Sequence, residues 1–262
     1  MSDDTVLYSL ENGVATLRLN RPDRLNAVTL DMLDLIRASL LRAVNEGARA
    51  VLLTGEGRGF CSGAELAGRA SGDGSTSIDP ADNLEYHYNP LAETLSKLPI
   101  PVVTAINGPA AGAGVGIALG GDIVVMAKSA YLLLAFSNIG LVPDCGATWL
   151  VAKSAGRAKA LEMALLGEKM SADNALDAGL VARVVEDDAL LETAQALAAK
   201  LAAKPTIALG LIRAQIKAAL TSTLSETLSV EAAHQRIAGR SEDFREGVMA
   251  FLGKRAPEFK GK

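Results

Sequence analysis

The sequence predicts an α/β core that is followed by an all-helical C-terminal region. Up to about residue 188, short buried strands alternate with stretches of helical periodicity, which is the pattern of a parallel sheet covered by helices. Beyond that point only helical periodicity remains. Of the 262 residues, 49% are hydrophobic and 4% are aromatic. These values exclude a disordered chain and predict a core of aliphatic side chains.

The N-terminal elements begin with a hairpin. Residues 5–10 and 14–19 alternate apolar and polar positions around Glu11-Asn12-Gly13, which is typical of a hairpin turn. Thr29 is the expected N-cap of an amphipathic helix that ends near residue 46. Further buried strands are expected at residues 50–54, 102–106, 123–126 and 183–185.

The last third of the chain predicts four helices, at residues 188–203, 205–220, 223–238 and 241–253. The third of these helices begins with a capping box, formed by Thr223 and Glu226. Two of the helices carry apolar faces that a single core does not need, which indicates a subunit interface. These faces consist of Leu209, Ile212, Ile216 and Leu220 on one helix and Leu224, Leu228 and Val230 on the next.

Charge and cysteine content exclude several classes of protein. The net charge is −4 and no long basic run exists, so nucleic acid is not an expected partner. The apolar stretch 101–127 is interrupted by Asn107, Pro109 and Asp122, so no membrane span is expected. Cys61 and Cys145 are too few for a disulfide scaffold and indicate reduced thiols in the cytoplasm.

No metal site is expected, because His87 and His234 have no cluster of potential ligands at a suitable spacing. The segment 68–83 is the one linker-like stretch, and loops of this length in a compact domain are usually functional or disordered.

Two glycine-rich segments, residues 55–66 and 107–116, each follow a predicted strand and are expected to lead into a helix. Backbone N–H groups at a helix start have no partner within the helix. Two such turns that face each other would form an oxyanion hole for one carbonyl oxygen. The alternative is that both are tight turns that permit close packing, since Gly112, Gly116 and Gly120 are spaced four apart. For either turn taken alone, close packing is the favoured interpretation.

Asp144 is the candidate acid or base. It lies between Pro143 and the glycine-containing start of a helix. One interpretation is an N-cap. The other is a carboxylate base in an apolar pocket, where burial would raise its pKa. The residues expected to form this pocket are Ile139, Leu141, Val142 and Trp149.

Four motifs together resemble those of the crotonase (enoyl-CoA hydratase/isomerase) superfamily. They are LNRPDRLNA at 19–27, FCSGAEL at 60–66, AINGPAAGAG at 105–114 and GLVPDCG at 140–146. The motifs occur in the order of that family, and the resemblance covers essentially the whole chain. From about residue 105 onward the chain looks most similar to the ring-1,2-epoxyphenylacetyl-CoA isomerases of phenylacetate catabolism. AFSNIGLVPDCGATWL at 135–150 and AGRSEDFREGV at 238–248 carry that similarity.

The resemblance implies an α/β fold in which ββα turns form a spiral, with a C-terminal helical trimerisation region. It places a core with an acyl-CoA site at residues 1–195 and an oligomerisation region at 196–262, in a homotrimer or a dimer of trimers. Coenzyme A is then part of the substrate, and no cofactor is expected. The tail 251–262 is either a frayed terminus or a source of cations for the CoA phosphates.

The resemblance also implies roles for individual residues. The thioester oxygen would lie between the N–H groups of Ala64 and Ala113, although the family commonly has glycine where Ala113 stands. Residues expected to contact substrate or CoA are Arg24, Leu25, Ala27, Ser62, Gly63, Leu66 and Gly112.

Departures from the family pattern favour one reaction over another. The hydratases of the family carry glutamates where this chain has Gly116 and Phe136. A single carboxylate at Asp144 suits a proton shuttle through a thioester enolate, so an isomerase that moves a double bond or opens a ring is expected. Two alternatives remain: an enoyl-CoA hydratase that uses Asp144 and a bound water, and a non-catalytic acyl-CoA-binding subunit.

Overall fold

The computed structural model describes residues 5–65 and 79–262, and the secondary structure in these ranges follows the expected order. The strands are β1 (Val6–Glu11), β2 (Val14–Leu19), β3 (Ala50–Gly55), β4 (Val102–Ile106), β5 (Ala110–Ala111), β6 (Ile123–Ala127), β7 (Tyr131–Leu133), β8 (Lys169–Ser171) and β9 (Arg183–Val185). The helices of the core are α1 (Leu30–Asn45), α2 (Pro80–Asn83), α3 (Asn89–Lys97), α4 (Ala113–Leu119), α5 (Ala147–Leu166), α6 (Ala172–Asp177) and α7 (Leu190–Ala202). A π-helical turn, Leu84–Tyr88, joins α2 to α3.

The N-terminal hairpin and the first helix are confirmed as expected. Strands β1 and β2 pair antiparallel, and the turn between them has positive φ at Asn12 and Gly13, as a type I′ turn requires. The hydroxyl of Thr29 accepts a hydrogen bond from the N–H of Met32, so Thr29 is the N-cap of α1.

The large sheet has the strand order β1-β2-β3-β4-β6-β9, and all of its pairs except β1-β2 are parallel. A smaller sheet has the order β5-β7-β8. In the units β4-β5-α4 and β6-β7-α5, a strand of each sheet is followed by a helix, which is a ββα repeat. Since β3 and β4 are parallel neighbours, the segments that follow them begin at the same edge of the sheet.

Helix α7 packs on the large sheet through a stripe of small side chains. Its buried residues Leu190, Ala194, Ala198 and Ala202 are spaced four apart, so they share one helix face. The expected domain boundary at residue 195 therefore falls inside a helix whose two halves are both buried against the core. The helices that stand apart from the sheet begin after α7.

Three further helices complete the expected C-terminal region: α8 (Thr206–Ala219), α9 (Leu224–Ala238) and α10 (Glu242–Leu252). The capping box of Thr223 and Glu226 is present at the start of α9. Neither α8 nor α9 contains a buried residue. Most of the apolar side chains expected on these faces are exposed in the single chain: Ile212 is 47% exposed, Ile216 63% and Leu224 76%. Leu209 and Val230 are half-buried.

The tail after α10 is held on the body of its own chain. The carboxylate of Asp243, which is 2% exposed, accepts hydrogen bonds from the N–H groups of Lys260 at 2.6 Å and Gly261 at 2.8 Å. Arg49 donates to the carbonyl of Phe259 at 2.8 Å. The interpretation of the tail as a frayed terminus is therefore wrong, because a buried carboxylate and an arginine fix its backbone.

Candidate active site

The two glycine-rich segments lie side by side where β3 and β4 end. The N–H groups of Phe60 and Cys61 both donate to the carbonyl of Pro109 at 3.1 Å, and the N–H of Ala111 donates to the carbonyl of Cys61 at 2.9 Å. Gly63 has φ +94°, and a Cβ added to it would lie 2.9 Å from the carbonyl oxygen of Ala111. Glycine is therefore required at Gly63 for this close approach.

The amides of Ala64 and Ala113 lie on these adjoining segments. Ala113 is the first residue of α4, so its N–H has no acceptor within the helix. Within residues 5–65 and 79–262, neither amide donates a backbone hydrogen bond to another residue. Two such donors on neighbouring segments are what is needed to hold one oxygen as negative charge develops on it.

The first glycine-rich segment forms two isolated bridges to neighbouring segments. Cys61 bridges to Ala110, and Ala64 bridges to Val28. A helix after this segment would lie outside the described residues. Only the second segment leads directly into a helix in the described part of the chain.

A third segment, residues 21–28, is bound to the first glycine-rich segment through Asn26. This side chain is fully buried. Its Nδ2 donates to the carbonyls of Glu56 at 2.9 Å and Gly59 at 2.7 Å, and its Oδ1 accepts from the N–H of Arg21 at 2.8 Å. Leu25 and Asn26 have positive φ values of 50° and 55°. The sequence did not point to Asn26 as a residue of the site. An asparagine in a turn could have drawn attention to it, because asparagine adopts the left-handed conformation more readily than most residues.

Arg21 is a second residue that sequence analysis missed. Its guanidinium forms an ion pair with Glu65 at 2.8 Å and donates to the carbonyl of Ala27 at 2.5 Å. Backbone hydrogen bonds follow the same path, from the N–H of Val28 to the carbonyl of Gly63 and from the N–H of Glu65 to the carbonyl of Val28. These bonds fix the 21–28 turn against the segment that carries Ala64.

The structure brings together most of the residues that the resemblance assigned to substrate binding. The N–H of Ser62 donates to the carbonyl of Leu25 at 2.9 Å, and its hydroxyl donates to the carbonyl of Arg24 at 3.2 Å. A Cβ at Gly112 would lie 3.7 Å from the Cα of Gly63. The side chain of Arg24 is exposed. Leu66 lies outside the described residues.

Asp144 is located in a tight turn that precedes α5. Cys145 and Gly146 both have positive φ, 50° and 77°, and the carbonyl of Asp144 accepts a hydrogen bond from the N–H of Ala147. Asp144 is half-buried, and its Oδ1 is shielded from solvent. Since the N-cap of α5 is Gly146, the interpretation of Asp144 as an N-cap is wrong.

Helix α4 contacts the segments that carry Ala64 and Asp144 through two glycines. A Cβ added at Gly114 would lie 2.2 Å from the carbonyl oxygen of Cys61, and one at Gly116 would lie 2.3 Å from that of Cys145. Both segments therefore rest directly on the helix backbone. The turn of Asp144 and the two amides thus belong to one compact region.

The apolar surroundings expected for Asp144 are only partly present. Ile139, Leu141 and Val142 are 55%, 43% and 76% exposed in the chain, so these three side chains do not form a buried pocket within it. Trp149 is 40% exposed and lines a cleft of about 720 Å³ that also reaches Cys145. The expected pocket is incomplete because the side chains of the 139–142 segment face solvent, and sequence spacing alone does not show this orientation.

Phe136 supplies an apolar side chain close to the second glycine-rich turn. It is 6% exposed, and its Cζ would lie 3.9 Å from a Cβ added at Gly112. Neither Phe136 nor Gly116 carries a titratable group. Asp144 is therefore the only one of these three positions that can exchange a proton.

The two cysteines are free and buried, so the expectation that they form no disulfide is confirmed. Burial raises the pKa of the Cys61 thiol to about 12, and burial together with the nearby Asp144 carboxylate raises the pKa of Cys145 as well. Both thiols are thus protonated at neutral pH and are poor nucleophiles. Among the described residues, no three His, Cys, Asp or Glu side chains are grouped to hold a metal ion, and no helix has the length and apolar character of a membrane span.

Comparison with known proteins places the chain in a family. A family model described as enoyl-CoA hydratase/isomerase matches residues 9–262. The 1,2-epoxyphenylacetyl-CoA isomerase of Escherichia coli K12 is 50% identical over 259 residues, which cover 98% of each chain. A protein of Rhodobacter capsulatus, described as a probable enoyl-CoA hydratase, is 41% identical over the full length of both chains.

Solved structures show the same fold. The enoyl-CoA hydratase of Bacillus anthracis superposes with a TM-score of 0.92 at 31% sequence identity, and the alignment covers 98% of this chain and 100% of the other. The enoyl-CoA hydratase of Polaromonas sp. JS666 superposes with a TM-score of 0.91 at 34% identity, and the alignment covers 97% and 99% of the two chains.

Proposed function

The chain belongs to the enoyl-CoA hydratase/isomerase family, and we propose that it is an acyl-CoA isomerase with Asp144 as its acid and base. The observation that carries this proposal is that only one of positions 116, 136 and 144 holds a titratable side chain. The turn of Asp144 and the segment of Ala64 both contact helix α4, which begins at Ala113. Positions 116 and 136 hold glycine and phenylalanine. Hydration requires groups that activate water and protonate carbon, while isomerisation requires only one group that moves a proton.

In this proposal, the backbone amides of Ala64 and Ala113 hold the thioester oxygen of the substrate. When a proton leaves the carbon next to the thioester, the electron pair is delocalised onto that oxygen. Two N–H donors then stabilise the oxyanion, and the loss of one such donor typically costs about 10²–10³ in kcat. The role is supported by the adjoining positions of the two segments and by the missing backbone acceptors for both amides among the described residues.

Asp144 would transfer the proton in both directions. For a shift of a double bond from C3=C4 to C2=C3, its carboxylate takes a proton from C2 as the C–H bond breaks. The dienolate then collapses, and the same carboxyl group returns the proton to C4. No proton is gained or lost overall, so a second carboxylate is unnecessary. The tight turn of Asp144 on helix α4 supports this role, because it fixes the carboxylate relative to the amide of Ala113.

Coenzyme A would enter as part of the substrate, without a separate cofactor. The residues proposed to contact substrate or CoA are Arg24, Leu25, Ala27, Ser62, Gly63, Leu66 and Gly112. Hydrogen bonds from Ser62 to the 24–27 turn support a shared surface for the first five of them. We propose an acyl group related to 1,2-epoxyphenylacetate, and hence a role in phenylacetate catabolism, because the isomerase from Escherichia coli is 50% identical over nearly the whole chain.

The exposed apolar faces of α8 and α9 support assembly into a homotrimer or a dimer of trimers. Side chains such as Ile216, at 63% exposure, and Leu224, at 76%, are costly to leave in water. Light scattering at micromolar concentration is expected to give the mass of a trimer or a hexamer. A stable monomer would contradict this assembly.

A cytoplasmic location, inferred from the two reduced thiols, also stays a prediction.

The Asp144→Asn variant tests the proposed chemistry. Because the amide cannot accept the proton, kcat is expected to fall by at least ~10² while the fold is retained. Asp188→Asn, at an exposed carboxylate outside the site, is the matched control and is expected to keep the wild-type rate. Turnover of linear and aromatic acyl-CoA thioesters should be followed with product identification.

The outcomes of this experiment separate the alternatives. An isomerised product that depends on Asp144 supports the proposal. A hydrated product would indicate an enoyl-CoA hydratase that uses Asp144 and a bound water. Binding of acyl-CoA without turnover of any thioester would indicate a non-catalytic subunit. A near-normal kcat in Asp144→Asn would show that another group transfers the proton.

A further inference from the structure

We propose that Asn107 is a positioning residue for the two candidate oxyanion amides, because its side chain fixes the glycine-rich loop that leads to Ala64. The inference rests on the proposed role of the Ala64 and Ala113 amides and deepens it. In this inference Asn107 does not touch the substrate. It acts through the distance that separates the two N–H groups.

The side chain of Asn107 binds all three glycines of the loop that follows β3. Its Oδ1 accepts a hydrogen bond from the N–H of Gly55 at 3.2 Å. Its Nδ2 donates to the carbonyl of Gly57 at 2.9 Å and to that of Gly59 at 3.3 Å. Both polar atoms of one side chain are therefore used on backbone that lies 48 to 52 positions earlier in the chain.

The composition of this loop makes such contacts necessary. Three of the five residues 55–59 are glycines, and glycine loses more conformational entropy on folding than any other residue. Gly57 adopts φ +73° and is exposed, so packing against the core does not hold it. The carbonyl of Gly59 also accepts a hydrogen bond from Asn26. The loop is thus held by amide side chains from two different segments, and we expect its conformation to change when Asn107 is lost.

The place of Asn107 in the chain connects this loop to both amides. Asn107 begins the second glycine-rich segment, which carries Ala113, whereas the glycines that it binds belong to the first, which carries Ala64. Beyond the loop, the N–H of Cys61 donates to the carbonyl of Pro109 at 3.1 Å. The two segments are therefore joined at their beginnings by a side chain and further along by backbone hydrogen bonds. A displacement of the loop moves the first segment relative to the second.

The distance between the amides determines whether they act together. Both N–H groups must lie about 2.7–3.1 Å from the same oxygen to stabilise it. A shift of one segment weakens one of these two hydrogen bonds. Because the negative charge on the oxygen is greatest near the enolate, the loss affects the transition state more than the bound substrate. Asn107 is therefore expected to influence kcat more than KM.

The test uses two ligands that differ at one carbonyl group. Phenylacetyl-CoA has the thioester oxygen but no epoxide or aliphatic double bond to isomerise, so it binds without isomerisation. The thioether S-(2-phenylethyl)-CoA has a CH₂ group in place of the carbonyl and cannot bind the two amides. The ratio of the two dissociation constants therefore measures the contribution of the oxyanion hole. The infrared stretching frequency of the bound thioester carbonyl measures its polarisation by the same amides.

Asn107→Ala removes all three hydrogen bonds, and Thr54→Val is the matched control. The hydroxyl of Thr54 donates to the carbonyl of Ala105 at 2.9 Å, so it also joins β3 to β4 through a side chain. This bond lies within the sheet, whereas those of Asn107 lie beyond the ends of the strands. Valine has nearly the shape of threonine. Thr54→Val therefore shows what the loss of a side-chain hydrogen bond between these strands does when the amides stay in place.

We expect the wild type to bind phenylacetyl-CoA at least about 10-fold more tightly than the thioether, and Asn107→Ala to reduce this ratio by at least about 3-fold. In Asn107→Ala, kcat for an isomerisable thioester should fall by at least about 10-fold, with KM changed by less than about 3-fold. Its carbonyl stretching frequency should move toward the value in water. Thr54→Val should have a lower Tm but the ratio, kcat and frequency of the wild type. Wild-type values of all three in Asn107→Ala would overturn the inference.

Asn107→Ser keeps the test valid if Asn107→Ala does not fold. Its hydroxyl retains a polar group at this half-buried position but is too short to reach three glycines, so the ratio is expected to fall by a smaller factor. In that case, a wild-type ratio in Asn107→Ser would overturn the inference.

Failure of the proposed function is recognised separately, in the wild type. Equal affinities of the wild type for the two ligands would show that no amide holds the thioester oxygen, and the inference would fall with the proposed oxyanion hole. A wild type that prefers the thioester, together with an Asn107→Ala variant of equal preference, would overturn the role of Asn107 alone. The two binding constants and the infrared measurement do not depend on proton transfer by Asp144.

Discussion

Replacement of Asn26 by alanine is expected to loosen two segments of the candidate site at once, the 21–28 turn and the first glycine-rich segment. The buried side chain makes three hydrogen bonds, to the N–H of Arg21 and the carbonyls of Glu56 and Gly59. Each bond contributes roughly 0.5–1.5 kcal/mol net, and more where the partner is left buried without water. The left-handed φ of +55° adds about 1 kcal/mol for alanine. The expected loss is therefore about 3–5 kcal/mol of the free energy of unfolding.

The assay separates the hydrogen bonds from the backbone cost. Asn12 has a similar φ of +50°, but it lies exposed in the hairpin turn, so Asn12→Ala measures the left-handed cost alone, about 1 kcal/mol. Urea unfolding of both variants at matched protein concentration gives the difference. We also expect KM for acyl-CoA to rise more than kcat falls in Asn26→Ala, because the 24–27 turn is proposed to contact CoA.

One comparison would refute this reasoning. If Asn26→Ala and Asn12→Ala lose the same free energy of unfolding, the three buried hydrogen bonds do not stabilise the turn. Asn26→Asp provides a check at constant side-chain size. It keeps the Oδ1 acceptor but points a carboxylate oxygen at two carbonyl oxygens, so it should be at least as unstable as the alanine variant.

Three further predictions concern the oxyanion hole and the tail. Ala113→Pro removes an N–H at the first helical position, where proline fits, and is expected to lower kcat by about 10²–10³; an unchanged kcat would exclude this donor. The side chain of Arg255 and then the N–H of Glu258 lower the pKa of the Glu246 carboxyl to about 2, from an ordinary 4.5. A lowered pKa stabilises the tail above pH 4.5, and this stabilisation is lost as the pH falls toward 2. The protection of tail amides against hydrogen exchange, taken relative to the intrinsic exchange rate at each pH, should fall in that range in the wild type but not in Glu246→Gln; equal pH dependence would contradict the contact. Deletion of residues 252–262 is expected to raise KM for acyl-CoA more than it lowers kcat, and steady-state kinetics with an unchanged KM would show that the tail does not bind CoA.

The elements that the sequence predicted well are those that local interactions determine. The capping box of Thr223 and the N-cap of Thr29 depend on residues at most three positions apart. The alternation of apolar and polar residues identified the first hairpin. Its turn depends on only two neighbouring residues, Asn12 and Gly13, which adopt the positive φ values of a type I′ turn. The sequence left open whether the two glycine-rich segments face each other, and the parallel pairing of β3 with β4 brings both to the same edge of the sheet.

The parts that could not be predicted depend on contacts between distant residues. The ion pair of Arg21 and Glu65 joins positions 44 apart in the chain, and Asn26 binds carbonyls that are 30 and 33 positions away. The pocket of Ile139, Leu141 and Val142 was wrong for a related reason. Hydrophobic character alone does not show whether a short irregular segment faces the core or solvent.

The glycines of α4 show how far sequence spacing can be interpreted. Gly112, Gly116 and Gly120 are spaced four apart, which favours close packing of a helix, yet their neighbours differ. Gly112 has a positive φ and lies near Gly63, Gly116 meets a carbonyl of the Asp144 turn, and Gly120 meets the tip of Leu95. A side chain at Gly120 would push against a movable leucine, whereas one at Gly116 would push against fixed backbone. The same residue type at the same spacing therefore tolerates a side chain to different degrees, and only the identity of the neighbouring atom shows how tightly each position is constrained.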